Sequence, residues 1–338
     1  MADLMTEEPV ELQLERHRTE LTGYCYRMLG SVFEAEDAVQ ETMVRAWRGY
    51  RGFEGRAALR SWLYRIATNV CFDALNGRNG RARPMDLAGP STVATATDAQ
   101  LPEVTWIGPA PDGRVVPETG DPAEVAAQRE SVRLAFVAVL QRLAPRQRAV
   151  LILREVLAWK AGEVAELLGV TVASVNSALQ RARATLAADT AAARPAPVLD
   201  EDHRALLARY VSAFEAYDMD GLAALLHEDV TLNMPPYALW LTGHTDIREW
   251  MLGPGHGCRG SRLVPVVANG SPAFGQYRPS PEGGHEPWAL IVLDVSAGRI
   301  AGLTNFLDTD TLFPLFGLPP RLEAGQEIGQ EIGGEIGR

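Results

Sequence analysis

The chain has 338 residues, 46% of them hydrophobic and 22% charged, enough for more than one core, since single domains commonly hold roughly 100 to 200 residues. No run of about 18 apolar residues occurs, and the acidic start MADLMTEEPVEL has no hydrophobic stretch behind it, which argues against a membrane span or a secretion signal and sets a cytoplasmic protein as the expectation. Cys25, Cys71 and Cys258 stand far apart without a C-x-x-C pair, and the six histidines show no H-x-x-x-H spacing, so reduced thiols, no metal and no cofactor are expected.

The net charge of −11 would by itself disfavour a phosphate-bearing partner. The average conceals a segregation. Arginines crowd RAWRGYRGFEGRAALRSWLYR and QRLAPRQRAV, whereas Asp and Glu dominate after about residue 189. Basic modules followed by an acidic one describe the chain better than an acidic protein does.

Residues 12–83 read as helical throughout. ELQLERHRTELTGYCYRMLG comes first, Gly30 and Ser31 break it, and AEDAVQETMVRAW follows. In this second helix Ala35, Ala38, Val39, Thr42, Met43, Ala46 and Trp47 recur at steps of three and four, which predicts a buried stripe that includes Trp47. Its other face carries Glu36, Asp37, Gln40, Glu41, Arg45 and Arg48. A third stripe runs through Leu59, Trp62, Leu63, Ile66, Val70 and Leu75, ended by Gly77 and Gly80. Residues 84–120 are rich in Pro, Gly, Ser and Thr without periodicity and read as a flexible linker.

Helical pattern resumes over residues 121–188. Within it AGEVAELLG is a short amphipathic helix stopped at Gly169, and VASVNSALQRARATL starts a new one with Thr171 as N-cap. Helix, glycine turn and helix form a helix-turn-helix, whose second helix is the one that enters a major groove. Val172, Val175, Leu179, Ala182 and Leu186 are expected on its inner face. Ala173, Ser174, Asn176, Ser177, Gln180, Arg181 and Arg183 remain outside, where small side chains permit close approach, Asn and Gln read base edges and Arg holds phosphates. The competing reading is a two-helix hairpin with a solvated basic face.

Residues 189–202 read as a second linker. Residues 203–321 open with two helices, RALLARYVSAFEAYD and DGLAALLH, before a strand-like DVTLNMPP, a short helix TDIREWML and the Val- and Ile-rich strands of SRLVPVVANGSPAFGQYRP and EPWALIVLDVSAGRIAGLTNFL. This order predicts an α+β module. The tail, residues 322–338, repeats E-I-G and reads as disordered.

Two of these segments carry a resemblance. EDAVQETMVRAWRGYRGFEGRAALRSWLYRIATNVCFDAL resembles region 2 of bacterial sigma factors of the extracytoplasmic-function (ECF) group, and LAPRQRAVLILREVLAWKAGEVAELLGVTVASVNSALQRARATL resembles their region 4, in the same order and with no region 3 between them. The resemblance implies RNA polymerase core as partner, met at its β′ clamp coiled coil and β flap, and promoter DNA. It makes Asp37, Gln40, Glu41, Arg45 and Arg48 candidates for core binding. Arg60, Ser61, Trp62, Tyr64, Arg65, Thr68, Asn69, Asp73 and Asn76 become candidates for the −10 element. For the −35 element the candidates are Thr171, Ala173, Ser174, Asn176, Ser177, Gln180, Arg181 and Arg183.

Residues 203–321 resemble a SnoaL-like domain of the nuclear transport factor two-like superfamily, which some sigma factors carry after region 4. The expected fold is therefore multidomain, two all-α sigma modules plus an α+β SnoaL-like cone. That superfamily includes cyclases and isomerases, so a small-molecule enzyme with a DNA-targeting N-terminal part is the alternative function, with Asp294, His244, Asn233, Tyr237 and Trp240 as the groups it would use. No Asp-His or paired-carboxylate spacing stands out among them. A domain that tunes the sigma modules is preferred, with no catalytic residue assigned and a small-molecule ligand in the cone left open. Trp106 and Ile107 of the linker, and Asn305, Phe306 and Leu307 at the head of the apolar stretch TNFLDTDTLFPLFGLPP, are expected to make the contacts between domains. A plain dimeric repressor or activator using the helix-turn-helix alone is the third possibility.

Overall fold

The structure is a computed structural model that describes residues 9–53, 58–95, 100–117, 121–187 and 201–324. The linker at 189–202 and the glycine-rich tail lie almost wholly outside the described residues. The chain divides into two compact units: Met1–Arg81 with Asp112–Ala193, and Ala82–Pro111 with Arg194–Arg338.

The first unit is helical. It begins with α1 (Val10–Glu15), α2 (Arg18–Leu29), α3 (Val32–Gly49) and α4 (Leu59–Leu75). Helix α5 (Pro84–Leu87) belongs to the second unit. The first unit resumes with α6 (Asp112–Val115), α7 (Pro122–Val132), α8 (Leu134–Gln141), α9 (Pro145–Leu151), α10 (Ala161–Leu168) and α11 (Val172–Ala187).

Local chemistry explains these boundaries. Gly30 takes a left-handed φ of +77° to end α2, and the Ser31 hydroxyl then accepts a hydrogen bond from the Glu34 amide to start α3. The stripe Ala35, Ala38, Val39, Thr42, Met43 and Ala46 is buried as expected. Trp47 is not: it is 58% exposed, and its indole donates to Glu11 at 3.0 Å. One residue beyond Ala46 is a further 100° around the helix, which carries Trp47 off the edge of the stripe.

What joins the two halves of this unit is a pair of buried arginines. Arg27 on α2 donates through Nε to the Ser131 hydroxyl at 2.9 Å and through Nη2 to the Gln128 carbonyl at 3.1 Å. Arg148 on α9 donates to the carbonyl of Met28, to Gln141 Oε1 at 2.7 Å, and to the carbonyls of Gln141 and Leu143 at 2.9 and 3.2 Å. Gln141 completes the knot by donating to the Arg27 carbonyl at 3.2 Å. Burial pushes both guanidinium groups down to about 10, and oxygens of neutral groups take the place of a carboxylate. The approach is close enough to require glycine at Gly80, where a Cβ would lie 2.3 Å from the Gln141 carbonyl oxygen. That residue therefore serves packing, and α4 has already ended at Leu75, so Gly80 is not the helix stop its sequence position suggests.

The second unit contains α12 (Glu201–Glu215), α13 (Met219–Leu225), α14 (Gly243–Leu252) and α15 (Thr309–Leu315), with strands β1 (Leu226–Asn233), β2 (Trp240–Thr242), β3 (Arg262–Ala268), β4 (Ser271–Pro279), β5 (His285–Ser296) and β6 (Arg299–Phe306). They form a six-stranded sheet in the order β2-β1-β6-β5-β4-β3. Only β1 and β6 run parallel. The α+β expectation holds. Strand β4 shows the period of two: Phe274 enters the core made with the helices, while Tyr277 stacks edge-on against Phe313 of α15 at 5.1 Å. Leu312, Phe313 and Leu318 are thereby buried within the domain itself, so the large apolar anchors of TNFLDTDTLFPLFGLPP serve its own unit, while Asp308, Asp310, Thr311 and Pro314 between them are exposed.

Residues 82–95 and 100–111 differ from the flexible linker expected of them. Ser91 donates its amide to Trp240 of edge strand β2 at 2.8 Å, and the Trp240 indole donates back to the Ala88 carbonyl at 2.9 Å. Leu101 donates to the Pro236 carbonyl at 3.0 Å. At the other edge Ala110 and Asn269, just past β3, exchange two hydrogen bonds of 2.9 Å. Val93 packs against the core of the domain. An aperiodic segment can still be ordered when its partners are sheet edges far away in sequence.

Arg148→Ala leaves carbonyls of both halves without a donor inside the protein and should cost about 3 kcal/mol of stability. Urea unfolding of the full chain measures this, and Arg148→Lys, which cannot fan out to several carbonyls at once, should recover little of it.

Candidate nucleic-acid interface

The turn before α11 is built as its sequence suggests. Gly169 adopts φ +63°, and the Thr171 hydroxyl accepts from the Ser174 amide at 3.2 Å. Val175, Ala178, Leu179 and Ala182 are buried. Val172 and Leu186 were expected among them, but Val172 is 45% exposed in the first turn and Leu186 is half-buried in the last, where the neighbouring helices no longer reach. Thr171, Ala173, Ser174, Asn176, Ser177, Gln180, Arg181 and Arg183 are all exposed. They form a continuous polar face whose N-terminal half is small and whose C-terminal half is cationic. Arg183 is engaged by Glu155 at 2.6 Å, an exposed pair worth little and easily exchanged for phosphate.

Helix α4 divides its candidates. Tyr64 and Thr68 are buried: Thr68 donates to the Tyr64 carbonyl at 2.6 Å and shares a 2.8 Å hydrogen bond with Tyr24. Both hold the helix to α2 and are not available to a base. Trp62, half-buried, stacks on Phe53 at 4.9 Å. Arg60 pairs with Glu20 at 2.8 Å, and Arg65 lies 3.7 Å from Glu166 of α10. Ser61 is half-buried, and Asn69, Asp73 and Asn76 are exposed along the rest of the helix.

Three partners of these side chains escaped the sequence reading. Trp159, between α9 and α10, packs its ring 5.1 Å from Tyr64, with the Arg60 guanidinium 5.5 Å above it. Glu20 is the second. Burial alone would raise its carboxyl, but His17 and Arg60 outweigh that and hold it below the usual carboxylate range. Glu166 is the third. No local pattern marks any of them, because each acquires its role from a helix distant in sequence.

On α3, Asp37, Gln40, Glu41, Arg45 and Arg48 are all exposed. Glu41 and Arg45 form an i,i+4 pair at 2.7 Å, and the exposed Trp47 adds an apolar surface at the C-terminal end of the same helix.

Comparison with known proteins agrees with this division. Residues 14–81 match the model of Sigma-70 region 2, residues 133–186 that of Sigma-70 region 4, and residues 207–303 that of the SnoaL-like domain. The chain is 46% identical over 316 residues to the ECF RNA polymerase sigma factor SigG of Mycobacterium tuberculosis, a match covering 91% of this chain and 83% of that one. The chain belongs to the ECF RNA polymerase sigma factors. SigJ of the same organism is 31% identical over 220 residues, covering 65% of this chain and 62% of that relative. The crystal structure of M. tuberculosis SigJ shares the fold, with a TM-score of 0.58 at 23% identity over 91% of this chain and 99% of that one. In this sigma factor regions 2 and 4 are followed by the SnoaL-like domain.

The exposed face of α11 generates a quantitative expectation. Arg181→Ala should weaken duplex binding and lower the slope of log K against log salt by about 0.9 per lost phosphate contact. Titrations at several salt concentrations measure it, and Arg183→Ala should act in the same direction.

Proposed function

We propose that this sigma factor binds polymerase core through the exposed face of α3, reads the −35 duplex through α11, opens the −10 element through α4, and is tuned by its own C-terminal domain. The structure is then a resting form. The observation that carries this reading is the position of Trp159 and α10 against Tyr64 and Arg65 on α4. The α11 surface stands open while part of the α4 surface is occupied by the other sigma module.

The C-terminal domain has a physical means of biasing that state. The connecting segment leaves the helical unit at Arg81 and returns at Asp112, and everything between belongs to the unit of the SnoaL-like domain. A connection whose hydrogen bonds are made to a folded domain has a fixed reach, whereas a free one would let the two modules separate. Trp106 and Ile107 tie the connecting segment to itself. Both are buried in that unit, the Trp106 indole donates to the Leu101 carbonyl at 3.3 Å, and Ile107 pairs with Ala82 at 3.1 Å. On the domain side, Leu307 donates to Pro235 next to the Pro236 that holds Leu101, with Asn305 and Phe306 immediately before it.

The same reading assigns the domain no chemistry of its own and places the protein's work inside the cell, on polymerase. Of the residues an enzyme would have used, His244 alone lines the cavity, and its Nε2 is 2.8 Å from the His227 carbonyl. The Trp240 indole is spent on the connecting segment.

In vitro transcription with purified core polymerase tests both parts. Asp37→Arg, on an exposed site, should abolish core binding and transcription while leaving the melting curve unchanged. Asn269→Gly keeps the left-handed turn at φ +56° but removes the acceptor for Ala110, and loss of that hydrogen bond should raise transcription about two- to tenfold. Unchanged output would remove the segment from the mechanism.

A further inference from the structure

The helical spacing of α11 predicts Val172 on its inner face, yet 45% of the residue faces solvent. Between Asp121 and Ala187 it is the one exposed large apolar side chain among the described residues. Leu168 and Val170, just before it, are half-buried.

The position of Val172 is fixed twice over. It is the first residue of α11, in the turn that the Thr171 hydroxyl caps by accepting from the Ser174 amide at 3.2 Å. Its β-branch also makes χ1 stiff, so the isopropyl group is presented in a set direction at the helix start.

Its exposed neighbours are short. Ala173, Ser174, Asn176 and Ser177 lie beside it, and Gln180, Arg181 and Arg183 continue the surface toward the C-terminus. Short side chains let the start of a helix come within contact distance of base edges while arginines farther along meet phosphates. In the major groove every base pair offers hydrogen-bonding edges, but among the four bases thymine alone offers an apolar group, its 5-methyl. An isopropyl group set among short polar side chains complements that methyl.

We propose that Val172 is a specificity-determining residue that selects a thymine in the −35 element by packing on its 5-methyl group. This rests on the reading that α11 enters the duplex. Asn176, one turn further along, sets the register. Four residues span about 6 Å of helix axis and successive base pairs are about 3.4 Å apart, so the thymine lies within two base-pair steps of the base that Asn176 meets.

The test uses holoenzyme assembled from the full chain and core polymerase, and a duplex pool randomised across the −35 element. Selection should enrich one thymine whose enrichment is lost with Val172→Ala and kept with Val172→Ile. A second enriched base, within two steps of it, should depend on Asn176 and be lost with Asn176→Ala. On the selected duplex, replacing that thymine by 2′-deoxyuridine removes the methyl and leaves the base pair, and should weaken binding about fourfold, the worth of one buried methyl. Val172→Ala should bind both duplexes equally and keep its melting midpoint, since the side chain it shortens is exposed. Equal affinity of the unaltered chain for thymine and deoxyuridine, or an undiminished preference in Val172→Ala, overturns the assignment of Val172 alone when Asn176→Ala still changes the selected sequence. An Asn176-dependent base more than two steps away overturns the register. A pool whose enrichment responds to none of Val172→Ala, Asn176→Ala and Gln180→Ala overturns the reading of α11 together with the proposal.

Discussion

The burial of two guanidinium groups between helical modules is the constraint on which the sigma part of this molecule depends. Arg27 and Arg148 reach across from α2 and α9 to carbonyl, hydroxyl and amide oxygens. A cation held this way satisfies many acceptors at once, yet it retains a desolvation cost, which shows in guanidinium groups pulled down to about 10. Such a joint is specific in geometry and modest in net energy. It can hold one arrangement of the two modules and still release it when a larger surface competes.

The surfaces arranged by that joint are unequal. The outward face of α11 and the outward face of α3 are open, whereas α4 meets Trp159 and Glu166 of the other module. Arg60 has its charge met by Glu20 and its flat face covered by Tyr64 and Trp159. In the proposed reading of α4 these contacts stand where stacked bases and phosphates would act, protein groups of similar chemistry taking the place of nucleic acid.

The C-terminal unit solves a separate problem. A six-stranded open sheet exposes two edges, and here both receive the chain that connects the sigma modules, at Trp240 on β2 and beside Ala268 at the end of β3. Covering edges in this way guards against unwanted strand pairing. It also gives the connecting segment partners at both edges while leaving the interior of the domain to its own core.

The amino-acid order alone determined the helices of both sigma modules, the Gly169 turn, the Thr171 cap and the outward face of α11, because each is set by residues within one or two turns of each other. It determined the α+β character of the C-terminal domain for the same reason, since an apolar run such as Ala289–Leu293 of β5 is local. Only the tertiary structure decided that Trp47 lies at the surface, that Tyr64 and Thr68 are buried against α2, that residues 82–95 and 100–111 bond to the sheet edges, and that Trp159 sits beside Arg60. Each of these turns on which distant element supplies the neighbour. An exposed arginine and one that fans onto four oxygens are the same letter, and burial, which separates Arg181 from Arg148, is a property of the folded chain.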